Sequence, residues 1–221
     1  MSSPIRAVIF DLDGTLIDSR ADIARSANRA LSTLGFAELP VEVISEFVGD
    51  GAPRLLERAA RVAPDDPRLS RLVAAFLDEY AAHPVVTTSV FPGAREALEA
   101  LSALPLGLCT NKPRVTTELV LRALDLERHF RGIVAGDDLP RKKPDPLPIL
   151  HLAEKLDVPV KSVLVVGDGA QDIEAGRAAG ARAVGVRHGI QPIERLLAAS
   201  PERVLDSLDE LPAYVAELGS S

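Results

Sequence analysis

Five short apolar runs punctuate the chain, at residues 5–10, 106–109, 132–135, 162–166 and 183–186. None alternates cleanly between apolar and polar positions. Runs of this kind suit strands covered on both faces, as in parallel sheets. Segments with helical periodicity separate the later runs, at 94–101, 115–124, 147–156 and 172–179. Strand and helix in alternation predict a doubly wound, mostly parallel α/β sheet. Ligands in such sheets sit beyond the carboxyl ends of the strands. The residues just after each run are therefore the first place to look for chemistry.

The stretch 17–88 breaks that rhythm. It holds no convincing β run, only helical faces: Ile23, Ala27, Ala30, Leu31 and Leu34 mark one, with Gly35 as a stop. Leu55, Leu56, Ala59 and Ala60 mark a second, and Leu69, Leu72, Val73, Phe76, Leu77 and Tyr80 a third. The expected organisation is an α/β core from residues 1–16 and 89–221 carrying a small helical insertion, 17–88. No internal repeat or low-complexity segment is visible. The tail, 218–221, is expected to fray.

Composition narrows the function classes. The chain has 221 residues, 47% of them apolar and 26% charged, which excludes disordered and fibrous classes. No apolar run approaches the ~20 residues of a membrane span, so no membrane partner is expected. The first residues run into a strand-like segment without a signal peptide's apolar stretch. One cysteine cannot form an internal disulfide. Both features lead us to expect a cytoplasmic protein. The net charge of −7, 4% aromatics and lack of Trp leave little for nucleic acid to bind. An anionic substrate would need local positive charge from a metal or a few basic residues.

Four polar clusters follow four of the expected strands. Asp11-Leu-Asp-Gly-Thr15 offers two carboxylates that could divide labour as nucleophile and acid, or simply form a solvated Asx turn. Thr110-Asn111-Lys112-Pro113 offers a hydroxyl and amides for phosphate oxygens, or a plain helix cap. In Arg141-Lys142-Lys143-Pro144, Arg141 and Lys142 read as solvated, while Lys143 could point inward at phosphate. Gly167-Asp168-Gly169-Ala170-Gln171-Asp172 supplies two more carboxylates of the kind Mg²⁺ accepts, or a turn followed by an Asp-capped helix. Cys109 reads as a small core residue.

Taken in order, these clusters resemble the motifs of the haloacid dehalogenase superfamily, and within it the phosphoglycolate phosphatase-like branch. D-x-D-G-T is Asp11 to Thr15, the motif-two hydroxyl is Thr110, the Lys before Pro is Lys143, and G-D-x-x-x-D is Gly167, Asp168 and Asp172. Gly49-Asp-Gly-Ala52 and Thr110-Asn-Lys112 are similar to the same branch. The resemblance covers nearly the whole chain and identifies the helical insertion with the family's cap domain.

The resemblance implies a Rossmann-like core and Mg²⁺-dependent hydrolysis of a small phosphorylated metabolite, 2-phosphoglycolate first, through an aspartyl-phosphate. A sugar-phosphate mutase of the β-phosphoglucomutase kind, or a phosphatase of another small sugar phosphate, is the alternative. Asp11 would be the nucleophile and Asp13 the acid and base. Mg²⁺ would be held by Asp11, the backbone carbonyl of Asp13 and Asp168, with Asp172 supporting. Thr110, the backbone N–H of Asn111 and Lys143 would hold the phosphoryl oxygens. Ionised Asp11, Asp168 and Asp172 with Lys143 leave −2, which Mg²⁺ neutralises. Dehalogenase relatives lack the second Asp, and phosphonoacetaldehyde hydrolases need a cap Lys that residues 17–88 lack. A phospho-accepting receiver module would need neither Asp13 nor a cap. For a carboxylated substrate, Arg54 is the candidate cap cation, with a solvated helix Arg the competing reading. The sequence leaves the oligomeric state open.

Overall fold

The computed structural model describes residues 4–219. Six parallel strands form the main sheet: β1 (Ala7–Phe10), β4 (Leu106–Cys109), β5 (Gly132–Val134), β6 (Val163–Gly167), β7 (Arg182–Val186) and β8 (Val204–Leu205). Their spatial order is β5-β4-β1-β6-β7-β8. β1 lies at the centre, with Val8 opposite Leu106 on one side and Leu164 on the other. The order reverses direction beside β1, so the crevice at its carboxyl end is the natural binding position.

Alternate residues of each strand feed two separate apolar layers. Val8, Phe10, Leu108 and Val166 pack on one face. Ala7, Ile9, Val163 and Val165 pack on the other, against Ile149, Leu152 and Ile173. Those partners belong to α7 (Leu147–Lys155) and α8 (Ala170–Ala179). Both faces are dry, which is why the runs show no alternation. α5 (Ala94–Ala100) and α6 (Arg114–Ala123) cover the first face.

Four helices fill the insertion: α1 (Arg20–Thr33), α2 (Val41–Ser45), α3 (Ala52–Ala60) and α4 (Pro67–Ala82). Two short strands bracket them, β2 (Ile17–Asp18) and β3 (Ser89–Val90), paired antiparallel. The expectation of no strand within 17–88 therefore fails at β2, whose two residues are too few to show a period. Asp22 ties the two crossings together. Its buried carboxylate accepts from the amides of Val86, Thr87 and Thr88 at 2.8–3.0 Å and from the Thr88 hydroxyl at 2.6 Å. Burial opposes ionisation there, but these donors outweigh it and hold the carboxyl at about 2.

The carboxyl-terminal part carries two helices beyond those expected, α9 (Ile193–Ala198) and α10 (Leu211–Gly219). Leu218 is buried within α10, so the tail is ordered through Gly219. Ser220 and Ser221 lie outside the described residues. No helix among the described residues is long and apolar enough to cross a membrane.

Candidate active site

The polar side chains gather at the strand ends. Asp11 leaves β1, Thr110 leaves β4 and Asp168 leaves β6, while Asp172 stands in the first turn of α8. Carboxylate oxygens of Asp11, Asp168 and Asp172 lie within 4.8 Å of one another, all three buried. Lys143 enters this cluster from the loop before α7. Its ammonium lies 2.7 Å from Asp11 Oδ1, 2.5 Å from Asp172 Oδ1 and 2.5 Å from the Cys109 carbonyl. The Gly169 amide donates to the second Asp172 oxygen at 3.0 Å. Asp168 accepts from the Ile190 amide at 2.8 Å and the Gln191 amide at 3.3 Å. Gly14, at φ 93°, lets the turn after β1 press on Asp168. A Cβ there would stand 2.2 Å from the Asp168 oxygen.

Three buried carboxylates against one ammonium leave the cluster short of positive charge. Burial pushes the Asp11 carboxyl well up, with Asp172 and Asp168 adding to it and Lys143 opposing. Burial and the neighbouring Asp172 push Asp168 up to about 7. Burial also opposes the charge on Lys143, but Asp11 and Asp172 overcome it and hold the ammonium protonated. An all-oxygen donor set with this deficit fits a hard divalent cation. Burial pushes the Cys109 thiol up to about 12, which leaves it inert and agrees with its reading as a core residue.

A stability prediction follows with a definite sign. Between its ordinary value near ~4 and about 7, Asp168 binds more proton in the folded than in the unfolded chain. Metal-free protein is then expected to lose stability as pH rises through that window. A divalent cation should raise the melting temperature more at pH 8 than at pH 5, because protons compete for the same oxygens. Equal shifts at both pH values would refute this, and a melting series with and without EDTA measures it.

Asp13 turns away from the cluster. Its carboxylate accepts from Ser19 Oγ at 2.6 Å and from Lys112 Nζ at 3.1 and 3.2 Å. Lys112 also reaches the hydroxyl of Tyr80, on α4, at 2.9 Å. Ser19, Lys112 and Tyr80 were not singled out as site residues from sequence. A compositional signal existed: the chain has only five lysines, and Lys112, Lys142 and Lys143 are three of them.

Asp11, Asp13, Thr110, Asn111 and Lys112 line a common cleft, roofed by residues of the helical insertion, including Ile23, Leu55 and Phe76. The insertion's loop is held over it by core side chains. Gln191 Nε2 donates to the Val48 carbonyl at 2.9 Å, Asn111 Nδ2 to Gly49 at 2.8 Å, and Lys142 Nζ to Asp50 at 2.5 Å. The second proton of the Asn111 amide goes to the Lys143 carbonyl at 2.9 Å. Lys142 is thus half-buried against the insertion rather than solvated. Arg141 does face solvent, paired with Asp145 at 3.0 Å. Arg54 also lies on the surface, its side chain 54% exposed and bound to Glu57 at 2.8 Å, so it supplies no charge to the cleft.

The chain is similar to known proteins over most of its length. A profile for haloacid dehalogenase-like hydrolases matches residues 8–186. The chain is 41% identical over 192 residues to a phosphoglycolate phosphatase of Nitrosospira multiformis, covering 84% of this chain and 85% of that one. It is 39% identical over 219 residues to the plasmid-borne phosphoglycolate phosphatase of Cupriavidus necator, covering 97% and 95%. The crystal structure of a predicted phosphoglycolate phosphatase from Haemophilus somnus superposes with a TM-score of 0.89 at 28% identity, covering 97% and 99%. The profile runs from β1 through β7, the span that carries every carboxylate of the cluster and Lys143, and on that ground the chain belongs to the haloacid dehalogenase-like hydrolase family.

Proposed function

We propose that this chain is a Mg²⁺-dependent phosphatase that hydrolyses 2-phosphoglycolate through an aspartyl-phosphate, with residues 17–88 as its cap over a core of 1–16 and 89–221. A cytoplasmic setting suits its single, buried free thiol. The observation that carries the reading is the split between two carboxylates of one cleft. Asp11 faces the carboxylate–lysine cluster, while Asp13 faces Ser19 and Lys112. Two acids in such different surroundings can take different roles. The names of the relatives supply the substrate.

In this mechanism an Asp11 oxygen attacks phosphorus and Asp13 protonates the departing alkoxide. Asp13 then takes a proton from the water that opens the aspartyl-phosphate. The Thr110 hydroxyl, the backbone N–H of Asn111 and the Lys143 ammonium hold the phosphoryl oxygens. Asp11, the Asp13 carbonyl and Asp168 would hold Mg²⁺, with Asp172 in support. The cation supplies the charge that lets a phosphate dianion approach an anionic nucleophile. The apolar roof of Ile23, Leu55 and Phe76 excludes water from the reacting groups.

Phosphate release decides the matter. The purified chain should release phosphate from 2-phosphoglycolate with Mg²⁺, lose that activity in EDTA and regain it on adding Mg²⁺. An isomerised sugar phosphate formed from a hexose 1-phosphate, with no phosphate released from 2-phosphoglycolate, would make it a mutase instead.

A further inference from the structure

We infer that Lys112 binds the carboxylate of the substrate and so selects short phosphorylated hydroxy acids over phosphate esters with neutral tails. This rests on the 2-phosphoglycolate reading and adds the residue that recognises the acid end.

An acid buried in a cleft needs a cation, and the candidates are few. Among the described residues lining the cleft, Lys112 carries the one positive charge. Arg54 is directed at Glu57 on the surface. Lys142 is engaged with the Asp50 carbonyl, and Lys143 is held by Asp11 and Asp172 at the end assigned to the phosphoryl group. The roof above is apolar, so the insertion offers little to hydrogen-bond a sugar's hydroxyls, and its low polarity strengthens an ion pair formed beneath it.

The position of Lys112 suits the geometry of the substrate. In 2-phosphoglycolate a single CH₂ carbon separates the bridging oxygen from the carboxylate. Asp13 is the group assigned to protonate that oxygen, and Lys112 Nζ already lies 3.1 and 3.2 Å from its two carboxylate oxygens. A substrate oxygen in reach of Asp13 therefore brings the neighbouring carboxylate towards the ammonium. The ammonium has three protons and two partner groups, Asp13 and the Tyr80 hydroxyl at 2.9 Å. Two of its contacts fall on the single Asp13 carboxylate, so one proton can pass to a ligand without leaving Asp13 unpaired. Tyr80 comes from α4, so the helical insertion fixes where the ammonium sits. Burial disfavours the charge on Lys112, but Asp13 and Tyr80 more than offset it.

A purely structural Lys112 would also matter for activity, because it positions the Asp13 carboxyl. The two roles separate by comparing 2-phosphoglycolate with ethyl phosphate, in which a methyl group replaces the carboxylate. The wild-type enzyme should prefer the acid. Lys112→Met should lower kcat/KM on 2-phosphoglycolate about 100-fold more than on ethyl phosphate, the excess appearing in KM. Lys112→Gln keeps a donor towards Asp13 and should lose the same selectivity, which covers an unstable methionine variant. Lys112→Arg should retain the preference. Equal losses on both esters in the Met and Gln variants would overturn the proposal and leave the substrate reading standing. A wild-type enzyme with no activity on 2-phosphoglycolate would bring down the substrate reading itself, and the proposal with it.

Discussion

Replacing Asp11 by Asn is expected to abolish turnover while leaving the fold intact. An amide oxygen is a poor nucleophile, so kcat should fall on the order of 10⁴-fold or more. The side-chain oxygen of Asn can still accept from Lys143, which now sits 2.7 Å from Asp11 Oδ1. The substitution also removes one negative charge from a site where burial and two neighbouring carboxylates already press the Asp11 carboxyl upward. Metal-free Asp11→Asn should therefore melt at or above the parent at pH 8, although it is inactive. Acid-quenched mass spectrometry should find a phosphorylated parent during turnover and none in the variant. Turnover near the parent rate would sink the covalent mechanism. An inactive variant that is also unfolded would contradict the electrostatic reading of the cluster.

The core was legible because its strands obey one physical rule. β1, β4, β5, β6 and β7 are buried on both faces, and each showed as an apolar run followed by polar residues. β2, β3 and β8 were not legible, since each has two residues, a single period of alternation with no repeat to reveal it. Their pairing comes from tertiary contact. The Asp22 clamp joins residues more than sixty positions apart in sequence, and no local pattern announces it.

The carboxylates and Lys143 were legible because each follows a strand or precedes a proline in a recognisable order. Lys112 was quoted within its motif but given no role. Its meaning depends on Asp13 and Tyr80, which lie far away in sequence and close only after folding. Lys142 misled for the opposite reason. A run of three cations usually faces water, and only the approach of the loop around Gly49 gives its ammonium a carbonyl to hold. Gln191, Asn111 and Lys142 bind three successive carbonyls of that loop, from Val48 to Asp50. Asn111 and Lys142 are direct chain neighbours of Thr110 and Lys143, so the loop rests on the same turns that carry those two residues.

Lys143→Met is expected to damage stability and activity together. The methionine fills much the same volume but removes the one ammonium in contact with Asp11 and Asp172. Breaking a buried ion pair from one side typically costs about 3–5 kcal/mol. For a chain of this size that lowers the melting temperature by roughly 6–20 °C in metal-free buffer at pH 8. The loss should shrink towards pH 5, where the carboxylates that burial pushes up, Asp11 and Asp168, can escape by taking up protons. A divalent cation should recover part of the stability, because it supplies charge to the same oxygens. It should not recover the activity, since the phosphoryl oxygens have lost their ammonium, and kcat/KM should stay about 100-fold down at saturating metal. Recovery of full activity by metal would reduce Lys143 to a counterion for the empty site. A melting curve unchanged from the parent at pH 8 would mean that the three carboxylates are not ionised together even there, and the charge deficit that calls for a metal would disappear with them.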